Sequence, residues 1–339
     1  MTIIVDAMGG DNAPEEIVRG AVRARRELGV EITLVGKKEA VDACLKTEGC
    51  TDIEVIDARE VITMEDDPST ATRRKKDASM TVALNRLRDG LGDAVVSAGS
   101  TGALLTGATL IVKRVRGIRR AALAPVLPAG EHGVMLIDCG ANVECTPEYL
   151  LQFAFMGSFY AKKIMGCAQP RVGLLNVGTE DTKGDALRHE TFALLKQADS
   201  EGRIRFVGNI EGTGVFDGSV DVVVTDGFTG NVLLKGTEGV IKYLMKSLKG
   251  VFYASTPNKL AAAVLKKDLK AMAKSMDVNE VGGTALVGIS KPVIKAHGSS
   301  NAASFFAAIR QAKAFVEAGV VKDIEANIEY MKLRAENDG

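Results

Sequence analysis

Thr2-Ile3-Ile4-Val5-Asp6-Ala7-Met8-Gly9-Gly10-Asp11 opens the chain with a short β-branched run that passes straight into a glycine-rich turn. Glu15–Leu28 follows with apolar positions at helical spacing. Strand, glycine turn and helix together form the unit of a parallel sheet whose crossovers lie on its faces. The rhythm returns along the chain. Strands are predicted over Thr2–Asp6, Glu31–Val35, Ile53–Ile56, Ala94–Ser97, Val134–Asp138, Arg171–Leu175 and Val220–Thr225. Helices are predicted over Glu15–Leu28, Met80–Arg88, Pro147–Lys163 and Asp185–Ala198. The strands are nearly continuous apolar runs, as expected where both sheet faces are covered. The predicted fold is α/β, a mainly parallel sheet sandwiched by helices in a Rossmann-like manner. No repeat, low-complexity tract or Pro/Ser-rich linker divides the chain, so residues 1–339 read as a single α/β catalytic unit.

Composition narrows the function. Lys+Arg and Asp+Glu are 43 each, so the formal net charge is zero and a general nucleic-acid binder is not expected. Apolar residues make up 46%, too many for a disordered chain. The five cysteines are an odd number and form no CxxC pair, which fits a reducing cytoplasm better than a disulfide framework or zinc site. The N-terminus has no basic start before a long apolar run, so no signal peptide is expected.

One segment breaks the alternation. Residues 239–277 contain no predicted strand; two helical stretches meet at Ser255-Thr256-Pro257, with Thr256 suited to an N-cap and Pro257 to the first helical position. Eight lysines between Lys242 and Lys274 face a single acid, Asp268, and apolar residues including Val240, Tyr243, Val251, Leu260 and Val264 fill the other side. Two readings are open: a helical tip on an anionic membrane, or an amphipathic pair packed on protein.

Six strand ends run into loops rich in Gly, Ser, Thr, Asn and Asp. They include Asp6, Gly9 and Gly10; Ser97, Ser100, Thr101 and Gly102; Asp138 and Asn142; Gly178, Thr179 and Lys183; Asp226 and Asn231; and His297. Ligands bind beyond the carboxyl ends of strands in open α/β sheets. Glycine lets backbone N–H groups approach an anion, and hydroxyls add donors without bulk. The expected ligand is therefore an oxyanion. No GxGxxG supports a dinucleotide, and Gly178–Lys183 lacks the spacing of a P-loop. Asp6, Asp11, Asp138 and Asp226 suit metal ligation or helix capping and loop bracing; the expectation is no metal and no cofactor. Cys139 is a nucleophile or an inert buried thiol. Arg73-Arg74-Lys75-Lys76 is a solvated helix end or a dock for an acidic partner.

Taken together, Asp6–Asp11, Arg73–Met80, Ser97–Ala103, Asp138–Asn142, Asn176–Glu180, Asp226–Asn231 and His297–Ser299 resemble the bacterial PlsX family, in order and over nearly the whole chain. The resemblance implies a phosphate acyltransferase that moves a fatty acyl group from acyl-[acyl-carrier-protein] to inorganic phosphate, giving acyl phosphate for phospholipid biosynthesis. It implies a fold related to phosphotransacetylase and the isocitrate/isopropylmalate dehydrogenase class. It also implies a cytoplasmic homodimer, peripherally bound to membrane through the Lys242–Lys274 helices, that feeds a downstream glycerol-3-phosphate acyltransferase.

Phosphate is already a nucleophile, so the site must screen its charge, align it and stabilise the developing oxyanion. Lys183 and the Ser97–Gly102 loop are expected to hold phosphate, Asn231 or Asn142 to donate to the thioester oxygen, and His297 to donate a proton or bind the anion. A phosphotransacetylase-like enzyme using acyl-CoA, a metal-dependent hydroxy-acid dehydrogenase and a non-enzymatic membrane-bound lipid-synthesis scaffold are the alternatives.

Overall fold

The computed structural model describes residues 1–275 and 282–332. In chain order the elements begin with β1 (Thr2–Asp6), α1 (Glu15–Leu28), β2 (Glu31–Gly36), α2 (Lys38–Thr47), β3 (Glu54–Asp57), α3 (Ala71–Arg74), α4 (Ser79–Arg88), β4 (Ala94–Ser97), α5 (Thr101–Gly107) and β5 (Ala122–Ala124). They continue with β6 (Val126–Leu127), β7 (Val134–Ile137), α6 (Pro147–Lys163), β8 (Arg171–Leu175), α7 (Ala186–Ser200), β9 (Arg205–Ile210) and β10 (Val222–Val224). The last are α8 (Gly227–Tyr253), α9 (Thr256–Ser275), β11 (Thr284–Val287), β12 (Val293–Lys295), α10 (Ala302–Glu317) and α11 (Val320–Ala326).

The local reasons are visible in α1. Glu15 and Glu16 sit in its first turn and Arg25 and Arg26 in its last, each favourable to the helix dipole. Gly29 closes it in the left-handed conformation, where a Cβ would be strained. Ile17, Val18, Ala21 and Val22 form the stripe it buries.

The strands divide into two sheets rather than one. The first has seven strands in the order β3-β2-β1-β4-β12-β11-β5; the second has five, β6-β7-β10-β8-β9. β1, β2, β3, β4 and β12 run parallel in the first, as do β7, β10, β8 and β9 in the second. The antiparallel pairs are β11 with β12 and β5, and β6 with β7. β5 and β6 are separated by Pro125 alone, and this is where the sheets join: Cys139 N–H donates to Leu123 O at 2.9 Å and Leu136 N–H to Pro125 O at 3.0 Å. Both parallel sets therefore aim their carboxyl ends at this seam.

The α8–α9 pair matches the predicted strandless segment as far as residue 275; residues 276 and 277 lie outside the described residues. The turn differs by one position from expectation. The Ser255 hydroxyl accepts from Asn258 N–H at 3.3 Å, so Ser255 takes the capping role assigned to Thr256, which is itself the first helical residue. Among the described residues no helix is long and apolar enough to cross a membrane.

Candidate active site

Three loops of the first sheet are tied together beneath the site. The Asp6 carboxylate is fully buried; Ser97 Oγ donates to it at 2.6 Å and Met8 N–H at 3.3 Å. Ser97 Oγ in turn accepts from Gly99 N–H at 3.1 Å. Burial pushes the Asp6 carboxyl up, opposed by hydrogen bonds from Ser79 and Ser97. A Cβ on Gly9 would stand 2.6 Å from Gly99 N, which explains the glycine there. Asp11 N–H donates to Gly298 O at 2.8 Å, and Asn12 Nδ2 reaches Ser299 O and Ser300 O, each at 3.2 Å. The β1 loop is thereby locked to the β4 and β12 loops.

The second sheet has its own brace. Asp138, also buried, accepts from Leu123 N–H at 2.9 Å, Ala141 N–H at 3.2 Å and Asn142 N–H at 2.7 Å. Asp226 caps α8 by accepting from Thr229 N–H and Oγ1, each at 2.8 Å, and pairs with Arg188. Arg188 Nη2 also donates to Thr229 Oγ1 at 3.1 Å. The carboxylates offered at sequence level for metal binding or bracing thus act as braces and caps at Asp6, Asp138 and Asp226.

Between the two sets of loops lies a cavity of about 140 Å³. Thr101 enters it from α5, Cys139 from the β7 loop, Asn231 and Lys235 from α8, and Lys295 and His297 from the end of β12. Lys295 is 8% exposed; its ammonium donates to Ala98 O at 3.3 Å and to Ala296 O. Burial pulls its pKa down to about 8, opposed by the Asp6 and Asp11 carboxylates. Among the described residues no carboxylate forms an ion pair with it. Lys235 pairs with Glu238 at 2.9 Å on the same helix. His297 is pushed toward neutrality by burial and by Lys235 and Lys295. Its Nδ1 lies 2.8 Å from Ser299 Oγ. Burial, with Asp138 adding to it, raises the Cys139 thiol well above its ordinary range, which makes it the inert of its two readings.

A cation without a carboxylate partner, a carboxamide, a hydroxyl and an imidazole facing one small space can hold an anion and polarise a carbonyl. A second hollow of about 420 Å³ is lined by Asn176, Val177, Gly184, Asp185 and Arg188, with Thr229 from the first turn of α8.

The structure brings Thr101, Asn231 and His297 into the cavity and places Asp6, Gly9, Gly10 and Ser97 behind it. Ser100 is buried at the start of α5, and Gly102 packs on Pro68; neither lines the cavity. Gly178, Thr179 and Lys183 belong to the β8 loop. Lys183 is not among the residues lining either hollow: its side chain is exposed, while Asn176, Val177, Gly184 and Asp185 of the same loop line the second. Asn142 is corrected as a carbonyl donor, since both of its amide hydrogens are engaged, by Ala121 O at 2.8 Å and Asp138 Oδ2 at 3.0 Å. Sequence reasoning missed Lys295, Lys235 and Arg188. Lys235 carried a signal, standing four residues after Asn231 and hence on the same helix face. Lys295 carried a weaker one, a lysine interrupting the apolar run before His297.

The chain resembles known proteins over nearly its whole length. A family model described as a fatty acid synthesis protein matches residues 1–323. The phosphate acyltransferase of Oceanobacillus iheyensis is 48% identical over 330 residues, 97% of this chain and 98% of that protein. That of Bacillus licheniformis is 47% identical over 331 residues, again 97% and 98%. A phosphotransacetylase structure from Streptococcus pyogenes superposes with a TM-score of 0.63 at 18% identity, covering 95% of this chain and 94% of that one. A branched-chain phosphotransacylase from Enterococcus faecalis V583 gives 0.55 at 17%, covering 93% and 99%. The two solved structures establish the fold class, and the family match and close relatives establish that this chain belongs to the phosphate acyltransferase (PlsX) family of transferases.

Proposed function

We propose that this protein transfers a fatty acyl group from the thioester of acyl carrier protein to inorganic phosphate, supplying acyl phosphate for phospholipid synthesis. The observation that carries this reading is the cavity at the seam, where Thr101, Asn231, Lys295 and His297 converge. A phosphate oxygen attacks the thioester carbon, the carbonyl becomes an oxyanion, and its collapse expels the carrier thiolate and leaves acyl phosphate. The Lys295 ammonium holds phosphate while the Thr101 hydroxyl orients it. Asn231 donates to the carbonyl oxygen as charge develops there. A thiol pKa near 8.5 makes the leaving group adequate without a strong acid, so a largely neutral His297 serves as an anion ligand.

The protein works in this reading as a cytoplasmic homodimer at the membrane surface. Exposed Val240, Tyr243, Val251, Leu260 and Val264 on α8 and α9, beside exposed Lys242, Lys246, Lys249, Lys259 and Lys266, support contact with anionic lipid. The side chains of Lys270 and Lys274, part of the same predicted face, lie outside the described residues. An apolar-tailed product is best released there, to a membrane acyltransferase acting on glycerol 3-phosphate.

The test is phosphate-dependent release of carrier thiol, with acyl-CoA as the competing donor. A kcat/KM at least about tenfold higher for acyl carrier protein supports the assignment; preference for acyl-CoA replaces it with a phosphotransacetylase-like donor range, and release without phosphate overturns it.

A further inference from the structure

Lys113-Arg114-Val115-Arg116-Gly117-Ile118-Arg119-Arg120 places five cations in eight residues of a chain with no net charge. Among the described residues, none of the five forms an ion pair. The Arg73–Lys76 cluster is different: Lys75 is bound to Asp66 at 2.7 Å, and Glu65 and Asp67 lie in the same loop. One of its four cations is paired and three acids lie close in sequence, whereas among the described residues none of the cations of residues 113–120 has an ion-pair partner.

The basic segment is also rigidly held. Val115 N–H donates to Gly288 O at 3.0 Å and Ser290 N–H to Lys113 O at 2.9 Å. Gln152 of α6 grips the other end, accepting from Arg119 N–H at 2.8 Å and donating to Gly117 O at 3.0 Å. Gly117 has a φ of +99°, and a Cβ there would meet Ile328 at 2.5 Å, so the turn demands glycine. Beside it lies a groove of about 700 Å³ with Ile118, Leu151 and Tyr149 in its wall and Arg114, Arg119, Arg120 and Lys332 around it. Arg120 stacks on the Tyr149 ring, 5.4 Å from its centroid. Glu148 is the one acid in the lining among the described residues.

We propose that this concave basic surface docks an acidic protein and, resting on the acyl-carrier reading above, that it receives the carrier of the acyl donor. Concavity with an apolar floor favours a protein over a flat membrane, and unpaired arginines held on a fixed backbone favour carboxylates. The location fits as well. Arg120 stands two residues before the start of β5, whose Leu123 lines the cavity, so at most about 11 Å of extended chain separates Arg120 from Leu123. A carrier seated here presents a flexible thioester arm beside the seam.

The test is the double variant Arg116→Glu/Arg119→Glu, whose side chains are exposed and outside the cavity. The KM for acyl carrier protein should rise at least about tenfold, and its salt dependence should flatten. The KM for phosphate, the kcat and the thermal midpoint should stay at wild-type values. An unchanged carrier KM overturns the proposal. Should the wild type not turn over acyl carrier protein, the functional reading fails, and fluorescence anisotropy with that carrier decides the docking surface by itself: weakened binding by the variant supports it and equal binding overturns it. Loss of binding to phosphatidylglycerol vesicles with carrier binding intact assigns the patch to membrane and overturns it too.

Discussion

The Lys295 ammonium lies 3.3 Å from the carbonyl oxygen of Ala98, so the end of β12 and the loop after β4 share one buried cation at the wall of the cavity. Replacing it tests whether that charge serves the reaction. Lys295→Met keeps the length and apolar stem and removes the charge. Acyl phosphate formation should fall by about 10² or more, the scale of losing one oxyanion-type contact, with a raised KM for phosphate. The thermal midpoint should not fall, because a buried charge that no described carboxylate pairs with directly has gone. Wild-type turnover by the variant would remove Lys295 from the mechanism.

The same lysine fixes a pH response. Burial lowers its pKa to about 8, with Asp6 and Asp11 opposing the shift and Lys235 adding to it. The protonated form therefore predominates below that value, and kcat/KM for phosphate should decline as pH rises through about 8. Stability moves the other way. An unfolded lysine stays protonated to about 10.4, so between these values the unfolded chain binds more protons and the Lys295 contribution to stability grows with pH. Denaturant titrations of wild type and Lys295→Met across this window, beside a pH–rate profile, should show opposite slopes. Lys295→Arg should lose the alkaline decline.

Asp226 tests the brace of the second sheet. Burial alone would raise its carboxyl, but bonds from Thr229 and the Arg188 charge outweigh burial and hold it below the usual carboxylate range. Its stabilisation is thus complete above the unfolded pKa of about 3.9 and is lost as pH falls through the lower folded value. Asp226→Asn should destabilise by about 3 kcal/mol near neutral pH, as for one partner removed from a buried pair. The gap from wild type should close in acid. Equal chemical denaturation curves at neutral pH would contradict this.

Gly9 separates packing from chemistry. Gly9→Ala forces a methyl against Gly99 N and Asp6 Oδ2, both at 2.6 Å. The backbone must shift, at a cost of about 1–3 kcal/mol, and activity should drop because Thr101 follows directly on the displaced loop. Gly29→Ala is the control: its Cβ meets nothing within 4 Å, though its φ of +63° carries modest strain. Activity should survive there. A reversed order of the two variants would contradict the packing argument.

Much of this architecture is readable in the chain, for particular reasons. β1, β4 and β8 fall on the expected residues, as do α1 and α6, because each pairs a buried apolar run or stripe with clear end signals. The strands β5, β6, β11 and β12 are two to four residues long, too short to display a period, so they escape pattern reading. That is why two sheets read as one: the join at Pro125 sits among those short strands. The site divides in the same way. His297 and Asn231 announce themselves by standing in or beside glycine turns. Lys295 lies inside a buried strand, where its meaning comes from loops nearly 200 residues away in the chain, such as Ala98 at a separation of 197. Lys183 resembles a phosphate ligand locally, yet its exposed side chain lines neither hollow.

For the α8–α9 tip, Leu260→Asp/Val264→Asp should abolish sedimentation with phosphatidylglycerol vesicles while leaving phosphate-dependent thiol release intact in solution, since both residues are exposed and distant in sequence from the cavity lining. Undiminished vesicle binding would return the pair to the reading of protein-packed helices.

The central claim is that the cavity at the seam carries phosphate to the acyl thioester. Incubation of acyl carrier protein and labelled phosphate with wild type and with Asn231→Ala tests it most directly. The account predicts labelled acyl phosphate from wild type and a loss of about 10² in its rate of formation for the variant. No labelled acyl phosphate from a folded wild-type protein, or equal formation by the two, would contradict it.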